Sequence, residues 1–281
     1  GLVGGEPLLY ENWEEVAKYA SDRNFYVSMI SNGMIIDDEM AHKIKKCGIA
    51  LVALSLDGPE TYHNELRGSQ MAFKNVLKAI ASLKKEGVQV NIITTIMKGN
   101  LPLLPEIEKT KGVSFWQLQL GIPMGKLSEP NQLLDVKKFI LEAKQRNQIQ
   151  LTIADSIGYC SQDELIMRNN SSTNGERVYL GCMAGCKAVA IESNGDVKGC
   201  LSLQNERFIE GNIRERSLKD IWTDKKSFNY NRNFNSESLG GYCSKCVYAN
   251  ICRGGCTSLA YNTSGHINNN NYCMHIMEQR W

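Results

Sequence analysis

The sequence predicts an α/β protein in which parallel strands, arranged as a barrel or an open sheet, are covered by helices and followed by a cysteine-rich domain of little regular structure. Three observations carry this expectation. Continuous apolar runs of strand length alternate with amphipathic stretches of helical period as far as residue 154, the pattern of strands buried on both faces under helices. From about residue 160 the periodicity stops, in a polar stretch rich in Asn and Ser over 161–181, which reads as a crossing loop. Eight of the ten cysteines then fall between 182 and 273.

Taken in order, residues 2–5, LVGG, read as the end of a strand entering a glycine turn, with Glu6 and Pro7 just beyond. Asn12 and Glu15 have capping-box spacing for a helix whose apolar stripe is Trp13, Val16, Ala17 and Ala20. FYVSMIS at 25–31 is a strand ending in Asn32-Gly33, and Asp37 caps a helix with Met40, Ile44 and Cys47 inward, stopped at Gly48. The unit then repeats. IALVALSL at 49–56 is a nearly all-apolar strand, followed by Asp57-Gly58-Pro59 and a polar loop to Gly68. A helix over about 70–86 carries Phe73, Val76, Leu77, Ile80 and Leu83 and ends at Gly87, and VQVNIITTIM at 88–97 is the next strand. One of Thr94 and Thr95 must point inward, and β propensity favours both.

A short helix around 103–110 follows, with Glu106 and Glu108 as solvated charges; FWQLQLGI at 115–122 is a strand ending at Pro123. Residues 132–146 form a helix with Leu133, Val136, Ile140 and Ala143 inward, and IQLTIA at 149–154 is one more short strand. Barrels and open parallel sheets place their chemistry at the C-terminal strand ends. Those ends read GGEP, SNG, SLDG, TT and QLG.

In the tail, AVAIE and VKGC flank Asn194-Gly195 as a hairpin, and Leu218, Ile221 and Trp222 mark a short helix. The cysteines Cys182, Cys186 and Cys200, then Cys243, Cys246, Cys252, Cys256 and Cys273, follow neither helical nor strand period. Eight thiolates are the number that two four-cysteine iron-sulfur or zinc sites consume, and a cation is what holds crowded thiolates deprotonated. Disulfides fit poorly, because a chain of 281 residues with 42% apolar content builds a core unaided. Inorganic centres in so irregular a domain contribute folding free energy directly. Cys47 and Cys160 stand apart and read as ordinary semi-buried residues.

Charge excludes some partners. Net charge is +2, from 32 Lys and Arg against 30 Asp and Glu, so nothing calls for nucleic acid. The longest apolar runs fall far short of a membrane span. A soluble cytoplasmic protein is expected, in the reducing compartment that thiolate clusters need.

Together these residues resemble a radical S-adenosylmethionine enzyme with a C-terminal SPASM domain, and the resemblance covers essentially the entire chain. It implies a partial (β/α)6 TIM-like barrel of the radical SAM type over 1–159, a linker over 160–181 and a SPASM domain over 182–281. Gly4-Gly5-Glu6-Pro7 matches the element whose backbone and carboxylate receive the methionyl ammonium of S-adenosylmethionine. Asn32, Ser55 and Asp57, Arg67, and the backbone at Leu120 and Gly121 fall where relatives contact ribose, carboxylate or adenine. The bland alternatives are an acid capping the next helix for Glu6, an Asp-Gly-Pro turn for Asp57, and a surface arginine for Arg67. His63, four residues before Arg67, is placed to face the same cavity, whereas His42, His266 and His275 read as structural.

By the same resemblance, Cys182, Cys186, Cys200 and Cys256 hold a first auxiliary [4Fe-4S] cluster, and Cys243, Cys246, Cys252 and Cys273 a second. Neither then has an open iron, which suits electron transfer or support. The family's catalytic cluster sits on three cysteines spaced x3 and x2, and no such triplet occurs here. A segment upstream of Gly1 is expected to carry it, and this chain alone is expected to be inactive. In the intact family that cluster reduces S-adenosylmethionine, and the resulting 5'-deoxyadenosyl radical abstracts hydrogen from substrate.

SPASM relatives mostly modify peptides or protein side chains, so a peptide or protein substrate and a low-potential donor such as flavodoxin or ferredoxin are implied. Formylglycine-forming relatives use an aspartate after the third auxiliary cysteine; here Cys200 is followed by Leu201 and Ser202, which disfavours that reaction. Two other readings stay open: an iron-sulfur electron-transfer or scaffold protein without the catalytic cluster, and a zinc-stabilised interaction module.

Overall fold

The computed structural model of the chain describes residues 1–121, 130–169 and 178–279, which fall into two compact units. The first draws on Gly1–Leu120 and Lys138–Ala154. Its helices α1 (Trp13–Ser21), α2 (Asp38–Lys46), α3 (Glu60–Arg67), α4 (Ala72–Lys85), α5 (Leu104–Ile107) and α6 (Leu133–Arg146) alternate with strands β1 (Val27–Ser31), β2 (Ile49–Ser55), β3 (Gln89–Ile96), β4 (Phe115–Leu120) and β5 (Gln150–Ile153). All strand pairs are parallel and the sheet order is β1-β2-β3-β4-β5. A doubly wound sheet reverses its order at a switch point, and this one does not. The stub at Leu2 pairs in parallel with Met29 outside β1, as its position before the glycine turn requires.

The core follows from the apolar runs. Met29, Val52, Leu54, Ile92, Trp116 and Leu118 are fully buried strand residues, covered by Ala17, Ile44, Val76, Leu83 and Ile140 from the helices. Thr94 is the inward threonine: its hydroxyl donates to the Leu56 carbonyl and accepts from Trp116 Nε1 at 2.8 Å. Thr95 is half-buried and accepts from Gln119 Nε2 at 3.1 Å.

Several expectations need correction. The polar loop before Gly68 is helix α3, whose only buried residues are His63 and Asn64, so it has no apolar stripe to betray it. Asn12 makes no side-chain cap, and Val16 is exposed. Glu108 is no solvated charge; it is buried and takes Arg146 in a forked pair, Nε at 3.0 Å and Nη2 at 2.9 Å to one oxygen. Asp37 does cap α2, through Met40 N–H at 2.9 Å. The expected strand end at 122 and Pro123, and residues 170–177 of the expected linker, lie outside the described residues.

The second unit contains α7 (Glu164–Arg168) inside the stretch read as linker, then β6 (Ala190–Ile191), β7 (Asp196–Lys198) and β8 (Gly211–Asn212). The β6–β7 hairpin turns at Asn194-Gly195 as expected, with Gly195 at φ +95°, and β8 adds an unforeseen third antiparallel strand. Then come α8 (Leu218–Thr223), α9 (Asn229–Arg232), α10 (Ala249–Cys252), α11 (Thr257–Ser264) and α12 (Met274–Gln279). One of its apolar clusters is Val197, Ile221 and Phe228, with Leu218, Trp222 and Tyr230 packed round it, and Tyr159, Phe208, Leu259, Met274 and Ile276 are buried elsewhere in the unit.

Candidate functional site

In the first unit the glycine turn is tied to the end of β1 by one side chain. Glu6 Oε1 accepts from Ser31 Oγ at 2.9 Å and Leu8 N–H at 3.3 Å, and Oε2 accepts from Asn32 N–H at 2.8 Å. Pro7 starts a single 3-10 turn that Glu6 caps. Gly4 stands at φ +140°, and a Cβ added at Gly4 or Gly5 would meet nothing within 4 Å. The carboxylate thus faces its own chain, while the diglycine backbone faces open space. Asn32 spends its Oδ1 on Met34 N–H at 2.8 Å.

Asp57 proves to be a buried hub. It is 1% exposed; Oδ1 accepts from Thr95 N–H at 3.0 Å, Oδ2 pairs with Arg67 Nη2 at 2.5 Å, and its carbonyl accepts from Asn100 Nδ2 at 2.9 Å. With both carboxylate oxygens engaged, Asp57 ties β2 to β3 and α3. Ser55, half-buried at the end of β2, and Arg67, exposed at the end of α3, keep open sides. Leu120 ends β4 and Gly121 follows it.

His63 does not face an open cavity. It is 1% exposed, its Nδ1 accepts from Asp57 N–H at 3.2 Å, and its ring meets Phe73 edge-on. That bond puts the proton on Nε2, which is buried without a partner. Burial, opposed by the Asp57 charge, pulls its pKa down to about 4. His42 pairs with Glu86 on the surface and His275 lies against Tyr248 and Tyr242.

In the second unit the cysteines, all free thiols, gather in two neighbourhoods. Cys256 feels Cys182 and Cys200, and its thiol is pushed up to about 11, first by burial and then by Cys182. Cys273 feels Cys243 and Cys246 and is pushed up to about 12, chiefly by burial. Cys252 is raised well beyond the thiol range, first by a hydrogen bond with Cys160, then by burial and by Cys273 and Cys243. Cys186 lies on the turn after Cys182, its N–H donating to the Met183 carbonyl at 3.0 Å. Among the described residues no three His, Cys, Asp or Glu side chains converge on the position of a single ion.

Local structure offers these sulfurs backbone donors. Cys256 is the N-cap of α11 without a side-chain cap bond, and its sulfur lies 3.2 Å from Ser258 Oγ. Cys273 directly precedes α12, with the His275 and Ile276 N–H groups near its sulfur. Helix starts favour thiolate, yet burial outweighs them here, so holding these sulfurs ionised takes added positive charge. Three phenols line the neighbourhoods with buried hydroxyls lacking partners: Tyr159, Tyr179 and Tyr230. Tyr159 lies near Cys256, Cys252 and Cys273, Tyr179 near Cys182 and Cys256, and Tyr230 near Cys182 and Cys200. Orphaned O–H donors beside buried thiols suit a sulfur-rich anionic group that would accept their bonds. Nothing local in the sequence marks these tyrosines, or the placement of Cys160 beside Cys252.

The comparisons with known proteins agree with both units. The family described as the radical SAM superfamily matches residues 1–102, and SPASM, described as an iron-sulfur cluster-binding domain, matches residues 182–247. The AdoMet-dependent heme synthase of Methanosarcina barkeri is 28% identical over 294 residues, covering 98% of this chain and 81% of that protein. The cysteine-type anaerobic sulfatase-maturating enzyme of Clostridium perfringens is 25% identical over 279 residues, 90% of this chain and 72% of its own. SuiB of Streptococcus suis, solved with bound S-adenosylmethionine, matches with a TM-score of 0.72 at 20% identity over 95% of this chain. The chain spans 63% of that protein's length, and the likeness speaks for fold alone. With the unreversed strand order it makes the first unit part of a TIM-like barrel. Matched by one family model at its parallel sheet and by the other at its cysteine tail, the chain carries a radical SAM region at residues 1–102 and a SPASM domain at residues 182–247.

Proposed function

We propose that this chain is the AdoMet-binding and auxiliary-cluster portion of an enzyme that modifies a peptide by hydrogen abstraction. The observation that carries the reading is the Glu6 tether, which leaves the Gly4–Gly5 backbone bare at the strand ends while the tail gathers its thiols in two groups. Bound at a reduced [4Fe-4S] cluster, S-adenosylmethionine supplies a 5'-deoxyadenosyl radical that takes a hydrogen atom from substrate.

In this reading the Gly4–Gly5 backbone receives the methionyl ammonium, and Glu6 and Pro7 hold that turn in shape. Asn32, Ser55, Arg67, and the backbone of Leu120 and Gly121 contact the carboxylate, ribose and adenine, with Asp57 fixing the direction of Arg67. Cys182, Cys186, Cys200 and Cys256 hold one auxiliary cluster, and Cys243, Cys246, Cys252 and Cys273 the other. The tyrosine hydroxyls donate to their sulfurs. A flavodoxin or ferredoxin supplies electrons. No helix among the described residues is long and apolar enough to cross a membrane.

A second reading, a tetrapyrrole substrate, is favoured by the heme synthase alignment along 98% of the chain and by a 25% identical Fe-coproporphyrin III synthase of Methanosarcina barkeri. Deuterium transfer decides between them. The full-length protein, reduced in the presence of AdoMet, is offered a perdeuterated peptide library or iron-coproporphyrin. Deuterium in 5'-deoxyadenosine from the peptides supports the first reading. Turnover with the porphyrin alone replaces it with the second.

A further inference from the structure

Helix α9 sits in the Asn-rich stretch of the tail, and its residues reach the turns that carry Cys182, Cys186, Cys200 and Cys256. Asn231 Nδ2 donates to the Ala184 carbonyl at 2.9 Å and Arg232 Nε to the Gly185 carbonyl at 2.7 Å. Two adjacent side chains thus grip two adjacent carbonyls between Cys182 and Cys186. Asn231 Oδ1 accepts from Thr257 Oγ1 at 3.0 Å, beside Cys256. The Tyr230 hydroxyl lies against Gly199, beside Cys200, where an added Cβ would collide with it. One short helix therefore holds a residue within two positions of each cysteine in that group.

The helix is itself fixed in place. Phe228, its N-cap, stands at φ +58°, a left-handed conformation that a bulky residue keeps only where its surroundings enforce it. It is buried, and a Cβ added at Gly185 would collide with it. Arg232 lies over the rings of Trp222 and Phe228, 4.5 and 4.6 Å from their centroids, and its Nη1 donates to the Trp222 carbonyl at 2.8 Å. Among the described residues the hydrogen bonds of Arg232 go to carbonyl oxygens, those of Gly185, Trp222 and Asp224. Its charge is therefore not spent in a hydrogen-bonded ion pair, although half-buried Glu210 feels it. Tyr230 packs edge-on against Phe208 at 5.4 Å, and its hydroxyl is buried without a partner. A free O–H and a guanidinium on one helix, both turned to the same cysteine-bearing turns, suit an anionic sulfur-rich group. Reduction adds negative charge to such a group, so a donor to its sulfur or a nearby cation favours the reduced form.

We propose that α9 is the positioning element of the first cysteine group: Asn231 and Arg232 hold the Cys182–Cys186 turn in register with Cys256, and the Tyr230 hydroxyl and the Arg232 charge raise the reduction potential of the iron-sulfur group bound there. The element acts through backbone carbonyls and sulfur, and it serves this group and not the one at Cys243, Cys246, Cys252 and Cys273.

The inference rests on the reading of the tail cysteines as cluster ligands, and the experiment separates the two. The whole chain is reconstituted anaerobically with iron and sulfide, as the parent and in two backgrounds: Cys273→Ala, which leaves the first group whole, and Cys200→Ala, which leaves the second. The parent is expected to take up about eight irons and each background about four. Each protein is titrated with dithionite while its paramagnetic resonance is followed; if a background fails to hold iron, the same comparison is read from the two reduction waves of the parent. With the first group whole, Tyr230→Phe and Arg232→Gln are each expected to lower the reduced-to-oxidised ratio at least about tenfold, a shift of about 59 mV for one electron. Arg232→Lys, which keeps the charge, should recover at least half of that shift. Asn231→Ala should lower iron loading of the first group alone. With the second group whole, none of these variants should move the potential. A first-group potential unmoved by either Tyr230→Phe or Arg232→Gln would overturn the inference, and so would an equal shift in both groups. A parent chain that takes up no iron would instead overturn the ligand reading beneath it.

Discussion

Glu6 ties the glycine turn to the end of β1 through a single carboxylate. It satisfies Ser31 Oγ and the N–H groups of Leu8 and Asn32 at once, so Glu6→Ala leaves half-buried donors unpaired at a cost of about 1–3 kcal/mol and frees the diglycine turn. AdoMet affinity, read by calorimetry on the cluster-loaded protein, is expected to fall at least about tenfold; an unchanged affinity would remove Glu6 from the site. Gly255 is the matching residue in the tail. At φ +75°, with a Cβ falling 2.7 Å from Asn270 Nδ2 and 2.9 Å from the Tyr159 ring, Gly255→Ala should displace the buried tyrosine between the cysteine groups. Iron loading of that variant is expected to drop, which metal analysis reads directly.

His63 belongs to the same scale. Its folded pKa lies near 4, below the usual 6.5, because burial disfavours the charged ring. Between those values the unfolded chain binds the proton and the folded chain does not, so stability is full above pH 6.5 and falls toward pH 4, by at most about 1.4 kcal/mol per pH unit. His63→Phe should flatten that dependence in urea denaturation measured across the window.

At the scale of elements, the strands are held together by polar relays as well as by apolar contact. Trp116 on β4, Thr94 on β3 and the Leu56 carbonyl after β2 form one buried chain. Thr94→Val keeps the shape and strands the indole N–H, for a loss of about 1–3 kcal/mol in the first unit; a denaturation midpoint equal to the parent's would contradict the relay. These elements were legible unequally. The β2 and β3 apolar runs and the Asp37 cap could be read locally, because burial on two faces and a cap each leave a short pattern. Helix α3 could not, since its buried residues are His63 and Asn64 and its partners are a loop carboxylate and a backbone carbonyl. Glu108 was opaque for the same reason: its partner Arg146 is a helix away.

For the whole molecule, the two units draw on different sources of stability. The barrel unit buries long apolar strands under helices, while the tail has three short strands, separate apolar clusters and buried thiols raised by desolvation. Metal bound there is folding free energy, so chelation is expected to unfold the tail first, as a separate early transition in calorimetry, with the barrel transition left in place. The family resemblance implied the division of the tail cysteines into two groups of four, which spacing alone could not, because Cys256 lies in sequence among the second group. Neither spacing nor resemblance could place Cys160 near Cys252.

The most direct test of the central claim is a paired iron and acid-labile sulfide count on the anaerobically reconstituted chain. The account expects about eight of each per chain, with broad visible absorption that bleaches on reduction. Two zinc ions and no sulfide, in a colourless protein that keeps the same fold, would contradict it.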